Sequence, residues 1–176
     1  MRFFIRSILV ILILMFAAPV FAGGGPKGNC KLLGSWIGYD SYGSAWWMST
    51  ADGQNASRGT LNLEVPGSKF FFPGAFSVTE LRGSWVKTGK NTYDWTVVGF
   101  PYLGDENATT MVLVKLSGVD TISKDCNTVY VTDAVMEVFA PDADINVDAP
   151  LSQSMFPPDH EGYRILVNRP ELPLIP

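Results

Sequence analysis

The chain has 176 residues, with 13 Lys and Arg against 17 Asp and Glu and a formal net charge of −4. An acidic chain without a basic run excludes nucleic acid and anionic lipid surfaces as expected partners. A hydrophobic content of 47%, with 12% aromatic and only 17% charged residues, excludes general disorder, because such a chain can bury a sizeable core.

The first residues, MRFFIRSILVILILMFAAPVFA, place Arg2 and Arg6 before an apolar run that ends in Val20-Phe21-Ala22. That order predicts a secretory signal peptide over 1–22, cleaved so that the chain begins near Gly23. The apolar stretch is at the short end of the roughly 17–25 residues that span a bilayer, so no stable membrane insertion is expected after cleavage. Gly28-Asn29 before Cys30 does not resemble the small apolar box of a lipidated cysteine. Loss of Arg2 and Arg6 leaves 11 basic residues against 17 acidic ones, a formal charge of −6. The segment 23–168 has the size of a single domain. The Pro-rich tail 169–176 follows it. A periplasmic or secreted location is expected.

No stretch carries the spacing of an amphipathic helix; short alternating or apolar runs separated by turn signals read as all-β. Strands are expected at 34–40, 44–50, 59–65, 69–87 (one extended path broken at Pro73-Gly74), 92–100, 109–118, 127–139 and 163–168. The clearest is 92–100, where Tyr93, Trp95 and Val97 share one face and Thr92, Asp94 and Thr96 the other. Turns are expected at Thr88-Gly89-Lys90-Asn91 and over the stretch VDTISKD, and 150–158 reads as loop. A meander of about eight strands closes most simply into an antiparallel up-and-down barrel, which removes exposed edges. A two-sheet sandwich is the rival, and the sequential hairpins favour the barrel.

The only cysteines are Cys30 and Cys126, which in an oxidising compartment predict one disulfide. Tracking strand direction puts both at one end of the barrel, called the lower end below, when 69–87 counts as a single strand. Gly34-Ser35-Trp36 begins the first strand there and Gly83-Ser84-Trp85 ends the fourth, so Trp36 and Trp85 are expected to plug that end. Two cysteines and the single His160, none at ligand spacing, make no zinc site.

Gly34-Ser35-Trp36 at the start of a secreted meandering barrel resembles the lipocalins and the wider calycin group. The resemblance implies that Trp36 closes the base and that an arginine near the chain end packs across it: Arg169, with Arg164 as the alternative. It also implies a cup for a small, mostly apolar molecule. Thr132-Asp133-Ala134 only partly echoes the family's Thr-Asp-Tyr element, and no helix is evident before the last strand.

Putting charges outside assigns Tyr93, Trp95, Val112, Val114, Tyr130, Thr132 and Met136 to the interior as the expected ligand-binding lining, with Lys115, Asp133 and Glu137 outside. Such a lining fits a filled core or a cavity with few polar groups. One of Trp46 and Trp47 must face outward, since adjacent strand residues point to opposite sides. Asp142, Asp144, Asn146 and Asp148 invite weak cation binding, but the loop lacks the glycine and glutamate of a helix-loop-helix calcium site. His160 has no nameable nucleophile, and no metal, cofactor or catalytic residue is assigned. The expected function is non-catalytic binding of a small apolar molecule. The alternatives are a barrel isomerase or cyclase working through Tyr130 or Tyr93, and an envelope protein-interaction module.

Overall fold

The computed structural model describes residues 30–39, 45–54, 57–65, 75–156 and 160–166. The expected signal peptide, the tail and Arg169 lie outside these residues. Within them the chain forms strands and no helix: β1 (Gly34–Tyr39), β2 (Ala45–Gln54), β3 (Arg58–Glu64), β4 (Ser77–Val78), β5 (Leu81–Lys87), β6 (Thr92–Gly99), β7 (Pro101–Tyr102), β8 (Leu113–Ile122), β9 (Thr128–Phe139), β10 (Ser152–Phe156) and β11 (His160–Arg164).

Eight of these strands make a closed antiparallel barrel. The order is β9, β11, β1, β2, β3, β5, β6, β8 and back to β9. The ring closes because the last strand pairs with the first, Trp36 opposite Arg164 and Tyr39 opposite Glu161, and because β8 pairs with β9 over ten positions, from Leu113–Phe139 to Ile122–Val129. Every neighbour is antiparallel, so side chains alternate in and out around the whole ring. β4 and β7 form a separate two-stranded ladder between the upper ends of the neighbouring strands.

Several boundaries differ from the sequence expectation: β11 runs from His160 to Arg164 and not over 163–168, and the described part of 69–87 holds two strands, β4 and β5. β8 starts later and runs through Val119–Ile122, where a turn was expected; Asp120 and Ile122 there are fully buried and continue the inward phase of Val114. The turn itself is tighter and lies at 123–127, where the Asp125 carboxylate accepts from Ser123 Oγ and the Asn127 amide, and Cys126 adopts φ 66°. Residues 152–156, expected as loop, pair with the upper half of β9. Ser152, Gln153, Ser154 and Met155 are all exposed, so β10 carries no apolar alternation for a sequence pattern to register.

A β-bulge corrects the inward placement of two residues. Val119 pairs with Asp133 but Asp120 pairs with Val131, which leaves Thr132 as an extra residue on β9. Below the bulge the phase inverts: Val129 and Val131 take the inner face and Tyr130, 43% exposed, points out. Thr132 is itself exposed, and its hydroxyl donates to the Val119 carbonyl at 3.0 Å. Above the bulge Ala134 and Met136 keep the inner face expected for them.

The inner face is filled by tryptophans laid flat over glycines of adjacent strands. A Cβ at Gly38 or Gly162 would collide with the Trp46 ring, one at Gly59 with Trp85, and one at Gly118 with Trp95. Each indole thereby crosses a neighbouring strand at van der Waals distance, and each buries an area worth a few kcal/mol. Of the adjacent pair, Trp46 is 7% exposed on the inner face and Trp47 is 48% exposed on the outer face.

Cys30 and Cys126 form a disulfide across 96 residues of sequence. It ties the segment before β1 to the β8–β9 turn, at the lower end. In the chain-entropy model a loop of this length contributes roughly 4–5 kcal/mol. Replacing both cysteines by alanine is therefore expected to lower the unfolding free energy by up to that amount in a urea titration. An unchanged midpoint and slope would show that the tie adds nothing.

Candidate functional site

The lower end of the barrel is sealed. Trp36, on β1, has no exposed surface and donates from Nε1 to the Leu32 carbonyl at 2.9 Å. Tyr93, also fully buried, donates its hydroxyl to the Cys30 carbonyl at 2.5 Å and meets the edge of Trp85 at 5.5 Å between ring centroids. Trp85 in turn donates to the Thr60 carbonyl. Burial raises the pKa of the Tyr93 phenol, with the Leu32 backbone and the Arg164 cation acting in the opposite direction.

Arg164 completes the seal. Its guanidinium lies 4.1 Å from the Trp36 ring centroid. Three of its N–H groups donate to carbonyls of the incoming chain and the β8–β9 turn: Nη1 to Leu33 at 2.5 Å, Nη2 to Lys31 at 2.6 Å and Nε to Cys126 at 2.8 Å. A planar cation can stack on an indole and serve several carbonyls at once, which a lysine could not do. The arginine across the base is thus Arg164, the alternative in the sequence reading, whereas Arg169 lies outside the described residues.

Higher in the barrel the inner wall is less covered. Leu116 on β8, Met136 on β9 and Leu63 on β3 belong to the inner face by register, as do Val131 on β9 and His160 on β11 lower down; all are half-buried, and Leu63, Leu116 and Val131 pack against the core. Trp95, Val114 and Ala134 lie among them and are nearly covered. Of the expected lining, the structure therefore brings Tyr93, Trp95, Val114 and Met136 to the interior, with Tyr93 committed to the base. Tyr130 and Thr132 are on the outside. Val112 is half-buried but stands one residue before β8.

Two interior polar groups escaped the sequence reading. His160, expected in a loop, opens β11 opposite Val131 and shares its inner face. Asp120 is 1% exposed, flanked across the strands by Tyr93 and Val131, and accepts a hydrogen bond from Trp95 Nε1 at 2.8 Å. Burial pushes its carboxyl up to about 7, against the smaller opposing effect of the Trp95 bond. The signal was present in the alternation Val114, Leu116, Gly118, Asp120, Ile122, but an aspartate two residues from a Ser-Lys-Asp turn reads as part of that turn.

The remaining candidates lie elsewhere. Asp144 and Asp148 turn their carboxylates onto the loop's own amides: Asp144 Oδ1 accepts from Asn146 N and Asp148 Oδ2 from Asp144 N. Among the described residues no three His, Cys, Asp or Glu side chains gather as a metal site. On the outer wall a shallow groove runs beside Trp47, Asn62 and Glu64. Comparison with family models, curated proteins and solved structures finds no match to this chain.

Asp120 makes the protein's stability depend on pH in a defined direction. Its folded-state pKa lies above its unfolded value, so the folded protein keeps the proton longer. The contribution is complete below about pH 4 and is lost as pH rises to about 7, on the order of 4 kcal/mol. Asp120→Asn retains an acceptor for Trp95 and cannot ionise. The urea midpoint of the wild type is expected to fall between pH 5 and 8 while that of Asp120→Asn holds level. Parallel curves for the two proteins would contradict this.

Proposed function

We propose that the protein is an exported, non-catalytic, lipocalin-like barrel that takes a small, mostly apolar molecule into its upper interior. The observation that carries this reading is the contrast along the barrel axis. The base is closed by Trp36, Arg164, Tyr93 and Trp85, whereas the inward Leu116, Met136 and Leu63 higher up, and Val131 and His160 below them, are only half-buried. In a filled core of this size inward leucines and methionines are buried; half-buried ones line a space that solvent or a ligand occupies. The lining is apolar with one or two polar groups, the usual make-up of a small-molecule site.

Stacking of Arg164 on Trp36 supports the lipocalin-like assignment. The Cys30–Cys126 disulfide is compatible with an oxidising, exported location. No helix among the described residues is long and apolar enough to cross a membrane. A barrel enzyme acting through Tyr93 or Tyr130 finds less support, because the first hydroxyl is engaged by Cys30 and the second faces outward.

Native mass spectrometry of the purified protein, with a fluorescent apolar probe displaced by whatever co-purifies, tests the reading. Saturable probe binding that is lost in Leu116→Trp, which fills the proposed space, is the expected result. Probe binding unaffected by Leu116→Trp, or none in a correctly folded protein, would overturn it.

A further inference from the structure

The outer wall carries a second, chemically distinct feature on the opposite face of the same strands. Glu161 on β11 has Tyr39 of β1 as its direct partner on one side and Tyr130 of β9 on the other. Tyr163 follows two residues along on the same face. The three tyrosines are 53%, 43% and 49% exposed, while the carboxylate between them is only half-buried, not free in solvent. Glu161, two residues away on the same face, raises the Tyr163 phenol, by hydrogen bonding first and then by its charge.

Among the described residues no ion pair joins Glu161 to a cation. Elsewhere on β9 an outward glutamate has one: Glu137 is paired directly across the ladder with Lys115, at 2.8 Å. A second carboxylate, Glu80, is likewise paired, with Arg82 at 2.9 Å. The positions that would carry a lysine or arginine beside Glu161 hold tyrosines instead. A carboxylate with tyrosines as its direct partners on both sides offers an organic cation two additive attractions, charge and ring quadrupole.

The spacing selects among cations. Tyr39 and Tyr130 are attached two inter-strand steps apart, roughly 9–10 Å. A cation centred above Glu161 would sit roughly 5 Å from each, within the ~6 Å reach of a cation–π contact. A planar guanidinium sandwiched between rings needs a narrower slot, whereas a trimethylammonium group is about wide enough to touch both walls. The geometry points to Tyr39, Glu161, Tyr130 and Tyr163 as a binding site for a small soluble compound bearing a quaternary ammonium group. The site is independent of the interior and of any molecule bound there.

Choline chloride titrated into the purified full chain and followed by amide NMR tests the assignment. The comparison compound is the neutral isostere of choline, in which carbon replaces nitrogen. The expected result is saturable shifts centred on residues 39, 130, 161 and 163 for choline and none for the isostere. Glu161→Gln is expected to weaken binding about fivefold and Tyr39→Leu about threefold, each with an unchanged thermal transition. Absence of saturable shifts, shifts centred elsewhere, equal response to the isostere, or unaltered affinity in Glu161→Gln would overturn the proposal. Binding of phosphatidylcholine vesicles without any response to free choline would also overturn it, in favour of a membrane partner.

Discussion

Pairing of the last strand with the first is the constraint on which the rest of the structure depends. Without the β1–β11 ladder the sheet would be open and would have two edges, and an inner face could not be distinguished from an outer one. The ladder is short, from Trp36–Arg164 to Tyr39–Glu161, and it is reinforced where it starts. Arg164 is both the partner of Trp36 in the register and the group that stacks on its ring, and its three donors satisfy carbonyls that enter the barrel base from two other directions. One side chain thus joins the first and last strands of the barrel to the turn that carries Cys126. Closure then fixes the two faces used above: an inner face on one side, and a tyrosine–carboxylate surface on the other.

The relation between tryptophan and glycine explains how a small barrel holds large residues. Inward positions of β1, β3, β8 and β11 that face an indole are glycines, and the indole covers the backbone where a side chain would otherwise be. The volume is conserved across the pair of strands, and the ring gains contact with a peptide surface. This arrangement accounts for the recurrence of Gly-Ser-Trp at 34–36 and 83–85 only in part. In Gly83-Ser84-Trp85 the ring lies over Gly59 of the neighbouring strand, not over its own tripeptide glycine. The tripeptide is a consequence of two strands ending at the same sealed pole.

Much of the architecture was legible because antiparallel strands write their facing into a period of two. The all-β class, the strand parity that brings Cys30 to Cys126, and the inward Trp95 and Met136 all follow from that period. It failed where the period itself broke. The extra residue at Thr132 inverts the lower half of β9, and nothing in Val-Tyr-Val-Thr-Asp announces it, since either phase offers plausible inward residues. Asp120 was lost because burial of a carboxylate is unfavourable in isolation and becomes tolerable only through the Trp95 bond and protonation, neither of which a sequence displays. Tyr39, Glu161 and Tyr130 are far apart in the chain and become neighbours only through the register of three strands.

The position of the disulfide has a topological consequence. Cys30 precedes the first strand and Cys126 sits in the turn before β9, so six of the eight barrel strands lie inside the covalent loop they close. A single peptide-bond cut anywhere between the half-cystines releases no fragment. It generates new termini within a molecule that is still one covalent piece, in effect a natural rearrangement of chain order around an intact ring. Proteolytic nicking in that region therefore leaves the two pieces at the same high local concentration as before, and only reduction turns the nick into a separation.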